Sequence, residues 1–182
     1  MADGDREAAS HEMAWRWGLV ALGLMLVVIL RVHSWGEPIE ADESVYLLIA
    51  QGWRQGLMPY VDLWDNKPLL TFILYRVSCA VLGAGPAAAK VPALLAVMVG
   101  TALLGWAFWR QPLLIMGAAV VLLWPLLLVF PDAFANGANI EIFLAPLILA
   151  TWLLLLQALT LPERQARLAN LLAWALLIIG CL

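Results

Sequence analysis

Charge is scarce in this chain. Only 13% of its 182 residues are Asp, Glu, Lys or Arg, whereas 64% are hydrophobic. The net charge of −3 leaves no basic excess, so we expect no nucleic-acid partner. Soluble domains of this length carry far fewer apolar residues. The composition therefore predicts an all-α, multi-pass membrane protein with the lipid bilayer as its first partner.

Cysteine and histidine are also nearly absent, with two residues of each type. Cys79 and Cys181 lie in apolar runs, which indicates small buried hydrophobic side chains rather than a disulfide or a metal site. The sequence contains no zinc-ligand spacing, no glycine-rich phosphate loop and no Ser/His/Asp set. These absences leave carboxylates as the main candidates for any chemistry.

Long apolar runs divide the chain. Residues 1–14 are polar with mixed charge and lack the features of a cleavable signal, so we predict a disordered cytoplasmic tail. The apolar runs predict membrane spans at residues 15–35, 91–109, 112–130 and 142–161. Another span begins at residue 168 and reaches the end of the sequence. We therefore expect residues 15–182 to be the N-terminal part of a larger transmembrane domain, truncated at its C-terminus.

The topology depends on residues 68–83. This run is only sixteen residues long and carries Arg76 in its middle, where a charge costs at least about 2.5 kcal/mol on insertion scales. We expect it to lie in the outer leaflet as a juxtamembrane or re-entrant helix. The basic connectors then share the cytoplasm of a plasma (inner) membrane with the N-terminus, and loops 36–67 and 131–141 both face outward. If residues 68–83 crossed instead, Arg110 and Arg164 would lie on the opposite side.

The first outer loop, 36–67, holds six of the thirteen acidic residues. Its segment 42–55 has the periodicity of an amphipathic helix lying on the membrane surface. Gly56 and Pro59 are typical of its end. The predicted apolar face consists of Val45, Leu48, Ile49 and Trp53.

Each polar group in this loop has two interpretations. Asp42 is either the N-terminal cap of the helix or a residue that takes part in chemistry. Asp62 and Asp65 bracket Trp64, and Lys67 follows. These charges form either a solvated loop pair or a site that presents Lys67 to a phosphate at the level of the lipid headgroups.

The second outer loop carries another polar cluster: Asp132, Asn136, Asn139 and Glu141. Glu141 leads directly into an apolar run, so a role as an ordinary helix-start acid is an alternative to a functional one. Together the two loops place eight carboxylates on one membrane face. Carboxylates gathered in this way can bind a divalent cation or deprotonate an alcohol.

The first loop resembles a known family. The residues that carry the resemblance are Asp42-Glu43-Ser44-Val45-Tyr46, Ala50, Gly56, Pro59-Tyr60, Asp62, Trp64-Asp65 and Lys67-Pro68-Leu69. They are similar to the first outer loop of GT-C glycosyltransferases, above all the protein O-mannosyltransferase-like family (glycosyltransferase family 39) and its bacterial aminoarabinose-transferase and RgtA/B/C/D-like relatives. Those proteins typically have Lys-Pro-Pro-Leu where this sequence has Lys-Pro-Leu-Leu. Asn139 and Glu141 are similar to the second outer loop of the family.

The resemblance implies a membrane enzyme that transfers a sugar, with inversion, from a polyprenyl-phosphate-linked donor on the non-cytoplasmic face. The acceptor would be a lipid, glycan or protein. Asp42 would be the catalytic base or a metal ligand, with Glu43 beside it in the site, and Lys67 would bind the donor phosphate. Asp42 and Glu141 would hold a divalent metal, Mg²⁺ or Mn²⁺, if one is used. The implied substrate-binding residues are Tyr60, Asp62, Asp65, Asn139 and Glu141.

Two alternatives remain open. A transporter or channel would have polar or charged residues within its spans and helices broken at the bilayer midplane. An inactive, truncated product that only inserts into the membrane is compatible with the same family resemblance. The family's further spans and soluble C-terminal domain are not part of this sequence.

Overall fold

The computed structural model describes residues 2–109, 114–127 and 137–181. Within these ranges the chain forms α-helices and no β-strand, which confirms the predicted all-α class. A single 3₁₀ turn, Ser34–Gly36, follows the first helix. The helices are α1 (Ala2–His33), α2 (Ala41–Arg54), α3 (Leu69–Leu82), α4 (Pro86–Phe108), α5 (Leu114–Leu127), α6 (Ile140–Ala158) and α7 (Glu163–Cys181).

Three of the helical segments are long and apolar enough to cross a membrane: His11–His33, Pro86–Phe108 and Ile140–Ala158. They coincide with three of the spans predicted from the sequence. Helix α3 has 14 residues and a length of about 21 Å, which is short of the hydrocarbon thickness of about 30 Å. This length agrees with a helix that does not cross, and the topology itself stays a prediction.

Several boundaries differ from the sequence predictions. Helix α1 begins at Ala2, so the expected disordered tail is wrong for the described residues. Helix α7 begins at Glu163, inside the segment predicted as a connector, and α6 begins at Ile140, so Glu141 lies in its first turn. Ion pairs four residues apart favour helix in such polar ends. They are Glu12–Arg16 in α1 and Glu163–Arg167 in α7.

Helix α4 lies at the centre and contacts α1, α3, α5 and α6, while α7 packs on α6 and α2 packs on α3. Small residues permit the close approach of α1 to α4. A Cβ added at Gly105 would meet a methyl carbon of Val20 at 2.5 Å, so the two backbones approach more closely than any larger residue allows. Cys79 belongs to the buried core as predicted, whereas Cys181 is exposed.

Helix α2 has the predicted position. Of the face predicted to lie on the membrane surface, Val45 and Leu48 are exposed and Ile49 is buried within the protein, so contact of this face with a membrane stays a prediction. The buried side carries Tyr46, whose ring packs edge-to-face against Phe72 and Tyr75 with centroid distances of 6.2 and 5.4 Å. Aromatic side chains bury the largest apolar areas, and these contacts set the rotation of α2 about its axis.

The cap of α2 is also displaced from the predicted residue. Its N-cap is Glu40 rather than Asp42. The Ser44 N–H donates to the Glu40 carbonyl at 3.0 Å, and the Glu40 N–H donates to Glu43 Oε2 at 3.3 Å. Asp42 is therefore not needed as the cap, and its carboxylate is available for other contacts.

Candidate functional site

Helix α2 carries two successive carboxylates into opposite environments. The Asp42 side chain is 57% exposed, whereas Glu43 is only 2% exposed. Successive residues in a helix point about 100° apart, so neighbours in sequence can face solvent and core. The predicted site consequently divides into two clusters. We call them the buried junction (Arg31, Glu43, Tyr75 and residues 137–139) and the open acidic face (Asp42, Asp65, Lys67 and Glu141, together with the hydroxyl of the buried Tyr46).

In the buried junction, three helices hold one short backbone segment. Glu43 Oε1 accepts a hydrogen bond from the Ala138 N–H. Tyr75 Oη donates to the Ala138 carbonyl at 2.7 Å. Arg31 Nη1 donates to the carbonyl of Gly137 at 2.9 Å. Side chains from α1, α2 and α3 thus fix the residues that lead into α6.

The electrostatics of the junction are dominated by burial. Loss of solvent raises the pKa of the Glu43 carboxyl, while the N–H groups of Ala138 and Glu40 oppose that rise. The charge of Glu40 raises the pKa further, and that of Lys90 lowers it. The buried Arg31 interacts favourably with Glu43. Glu43 is therefore a carboxylate held between buried backbone donors, and its predicted catalytic role stays a prediction.

Gly137 and Asn139 complete the junction. A Cβ on Gly137 would lie 2.9 Å from Glu43 Oε1 and 3.2 Å from Glu40 Oε2, so the position admits only glycine without movement of a carboxylate. Asn139 is 5% exposed and its Nδ2 donates to Glu40 Oε2 at 3.2 Å. Its Oδ1 is buried without a partner among the described residues. The structure thus places Asn139, predicted to bind substrate, in the junction rather than on the open face.

The open acidic face begins at Asp42. Its Oδ2 lies 3.8 Å from Lys67 Nζ and accepts a long hydrogen bond of 3.5 Å from the Tyr46 hydroxyl. Burial is the largest cause that raises the pKa of the Tyr46 hydroxyl, and nearby negative charges raise it further. Those charges belong to Asp42, Asp65 and Glu141. Carboxylates from α2, the first loop and α6 therefore gather around one phenol.

A tight turn positions Lys67. Gly56 and Tyr60 both have positive φ values, 100° and 67°, and the Tyr60 N–H donates to the Leu63 carbonyl at 2.8 Å. The Tyr60 hydroxyl donates to the Lys67 carbonyl at 2.6 Å, and Asp65 Oδ1 accepts from the Lys67 N–H at 3.0 Å. The first loop is thereby folded back so that the lysine reaches the start of α2.

Two residues predicted to bind substrate also shape this loop. Asp62 Oδ2 accepts a hydrogen bond from the Met58 N–H at 2.8 Å and closes the turn. Burial raises the pKa of the Tyr60 hydroxyl, and the charge of Asp65 raises it further. Both side chains have clear structural contacts here, and their contact with a substrate stays a prediction.

The predicted metal pair is only partly assembled. Over the described ranges, no three His, Cys, Asp or Glu side chains converge closely enough to hold a metal ion. Asp42 and Glu141 are both exposed and both act on the Tyr46 hydroxyl. The second outer loop contains two further candidates, Asp132 and Asn136, which lie outside the described residues. The divalent metal accordingly stays a prediction.

Sequence reasoning missed two residues of the junction. Arg31 follows an apolar run in the sequence, yet it is 5% exposed and its guanidinium group donates to the Gly137 carbonyl in the second loop. Tyr75 lay unremarked in an apolar run. The signal for Arg31 was its position, since a cation that ends a span beside an acidic loop has anionic and carbonyl partners within reach.

Comparison with known proteins gives no match. No family model matches the chain, and neither a curated protein nor a solved structure does. The functional interpretation therefore depends on the geometry of the two clusters and on the motif of the first loop.

Proposed function

We propose that this chain belongs to a GT-C-type membrane glycosyltransferase that moves a sugar from a polyprenyl-phosphate-linked donor to an acceptor hydroxyl, with inversion. The observation that carries the proposal is the ion pair of the exposed Asp42 and the partly buried Lys67, whose carboxylate and ammonium groups are 3.8 Å apart. A base and a phosphate-binding cation are the two groups this transfer requires. The motif in the first loop supports the same chemistry.

In the proposed reaction Asp42 accepts the proton of the acceptor hydroxyl. The acceptor oxygen attacks the anomeric carbon from the face opposite the phosphate, which inverts the configuration. The bond between the anomeric carbon and the phosphate oxygen breaks, and the lipid phosphate leaves with the electron pair. Lys67 stabilises the charge that develops on the leaving phosphate, because an ammonium ion binds phosphate as a point charge.

The remaining residues of the open acidic face surround this pair. Asp65 orders the backbone of Lys67, and Tyr46 supplies a hydroxyl beside Asp42. Asp42 and Glu141 are the residues that would hold Mg²⁺ or Mn²⁺, which would neutralise charge on the donor phosphate. Glu43 acts as a positioning residue, since its hydrogen bond to Ala138 joins α2 to the segment that precedes Glu141.

The location of the site at a bilayer edge is part of the proposal. Three helices are long enough to cross the membrane, and α2 and α3 are shorter. With the N-terminus in the cytoplasm of a plasma (inner) membrane, both outer loops lie on the non-cytoplasmic face. A lipid-linked donor would then present its phosphate at the level of Lys67, with the polyprenyl chain in the bilayer.

Topology is tested by thiol labelling in a Cys181→Ser background. Val61→Cys, at the exposed tip of the first loop, is expected to react with a membrane-impermeant reagent in intact cells. Arg164→Cys, at the start of α7, is expected to react only after permeabilisation. The opposite pattern, or equal labelling of both in intact cells, would contradict the orientation.

Activity is tested with the purified protein and a radiolabelled polyprenyl-phosphate sugar. Asp42→Asn is expected to lower turnover by about 10²–10⁴, the typical contribution of a general base. Lys67→Met is expected to weaken use of the donor, seen as a higher KM. Glu163→Gln, which changes an exposed carboxylate on α7, serves as the matched control. Undiminished turnover in Asp42→Asn would remove Asp42 from the mechanism.

A further inference from the structure

Helices α2 and α3 bring two arginines together at the far end of α2 from Asp42. Arg54 Nη1 donates to the Cys79 carbonyl at 3.0 Å. The guanidinium carbon of Arg76 lies 4.5 Å from the centroid of the Trp53 ring. Trp53 precedes Arg54, and Cys79 lies one helical turn after Arg76. Each guanidinium group therefore reaches across the contact between α2 and α3, one from each helix, near the C-terminal end of α2.

This pair of cations has no carboxylate partner in the described part of the chain. Three ion pairs there, Glu12–Arg16, Asp42–Lys67 and Glu163–Arg167, use other residues. Arg54 and Arg76 are both exposed. An anion that binds at this surface would meet two positive charges, so the surface has the charge of an anion site.

The same surface is strongly apolar beside the arginines. Ile73, Val77 and Val81 are spaced by four residues, lie on one face of α3 and are 39, 58 and 76% exposed. Arg76 precedes Val77 directly. A helix that shows an apolar stripe flanked by basic side chains is typical of the membrane interface, where the helix contacts lipid acyl chains and lipid headgroups at the same time. The length of α3 also suits the interface rather than a span.

We propose that Arg54 and Arg76 bind the phosphodiester headgroup of an anionic phospholipid, whose acyl chains lie along the stripe Ile73–Val77–Val81. The planar guanidinium fork matches two phosphate oxygens, and stacking on Trp53 holds the Arg76 fork in one plane. Trp53 is itself of the type enriched at the headgroup level. The apolar stripe favours a lipid over inorganic phosphate, because only the lipid has acyl chains that can cover the stripe.

This lipid site is separate from the proposed donor site. Arg54 lies twelve residues after Asp42 along α2, a rise of about 18 Å. The inference therefore does not depend on the proposed glycosyl transfer, and either can fail without the other.

The test is native mass spectrometry of the full chain purified in a non-ionic detergent. The protein is titrated with phosphatidylglycerol, with phosphatidylcholine of the same acyl chains and with inorganic phosphate. We expect wild type to bind phosphatidylglycerol in preference to both other ligands. The double variant Arg54→Gln/Arg76→Gln is expected to lose at least about tenfold in affinity for phosphatidylglycerol, the equivalent of one charge-assisted hydrogen bond.

Controls separate a headgroup site from general charge or misfolding. Arg164→Gln/Arg167→Gln removes two exposed basic residues of α7 and should leave binding unchanged. Arg54→Lys/Arg76→Lys keeps the charge but not the fork, should retain the fold, and is expected to bind with intermediate affinity. If the Gln double variant loses its circular dichroism signal, it is misfolded. The proposal is then tested by the affinity of the Lys double variant and by the comparison of the three ligands on the wild type. Equal binding of the two lipids, competition by inorganic phosphate at equal concentration, or undiminished affinity in the Lys and Gln variants would overturn the proposal.

Discussion

Asp42 and Glu43 are adjacent in sequence, identical in charge, and different in almost everything else. Asp42 lies on an open face beside a lysine, and Glu43 lies in a buried junction that joins α2 to residues 137–139. An exposed ion pair contributes little to stability, whereas a buried carboxylate with backbone donors cannot be removed without leaving those donors unsatisfied. The difference teaches that two adjacent acids can combine a solvent-accessible charge with a buried group that joins two segments of the chain.

The largest expected effect on stability comes from comparing the two acids directly. Glu43→Ala leaves the buried N–H of Ala138 without its acceptor, a cost of about 1–3 kcal/mol, and also removes the charge facing Arg31. Asp42→Ala is expected to cost less than about 0.5 kcal/mol, as for other exposed positions. Thermal unfolding of both variants in detergent measures the difference. Equal losses would show that the two environments are energetically alike.

The next prediction tests how tightly the buried junction is packed around Gly137. Gly137→Ala would push a methyl group against Glu43 Oε1 and Glu40 Oε2, so we expect a loss of about 1–3 kcal/mol from overpacking. Gly18→Ala, a helical position with open space around it, is the matched control and should be neutral or stabilising. Unfolding midpoints that fall equally for both variants would contradict a tight junction.

A smaller effect compares two tyrosines. Tyr75→Phe removes a 2.7 Å hydrogen bond to the Ala138 carbonyl and is expected to cost about 1 kcal/mol. Tyr46→Phe removes only a 3.5 Å contact with Asp42, so its effect on stability should be smaller. Both variants keep the buried ring, and unfolding measurements isolate the hydroxyl. A larger loss of stability for Tyr46→Phe than for Tyr75→Phe would contradict the conclusion that the stronger hydroxyl contact lies in the buried junction.

The smallest expected effect is a dependence of the folded protein's stability on pH. Because the pKa of Glu43 is raised on folding, the folded state takes up a proton before the unfolded state as the pH falls. Ionised Glu43 therefore costs stability at neutral pH, and this cost is relieved as the pH falls through the raised pKa. Glu40, Lys90 and Arg31 set the local charge.

This dependence is measured as the difference in unfolding midpoint between wild type and Glu43→Gln, which keeps an acceptor but does not ionise. Wild type is expected to gain relative to the variant as the pH falls from neutral toward about 4.3, the value at which an unperturbed Glu titrates. A difference that stays constant, or that moves in the opposite direction, would contradict a raised pKa.

The two clusters also show why part of the site could be predicted and part could not. The motif from Asp42 to Lys67 is local, and its turn chemistry at Gly56 and Pro59 was visible in the residue types. The contacts of Arg31 and Tyr75 with residues 137 and 138 join positions 106 and 63 residues apart. No local pattern specifies such pairs. The side of α2 that meets the protein was not predicted for the same reason, because Tyr46 packs against residues of α3 rather than against neighbours in its own helix.

The sequence by itself determined the helical class, the three long apolar helices, the helix within the first loop and the presence of many carboxylates in that loop. These follow from composition, periodicity and turn residues, which act over short distances along the chain. Only the tertiary structure decided that Asp42 is open and Glu43 buried, and that Lys67 returns to the start of α2. Both outcomes depend on which side of α2 meets α3 and residues 137–139, and that choice is made by packing between segments far apart in the chain.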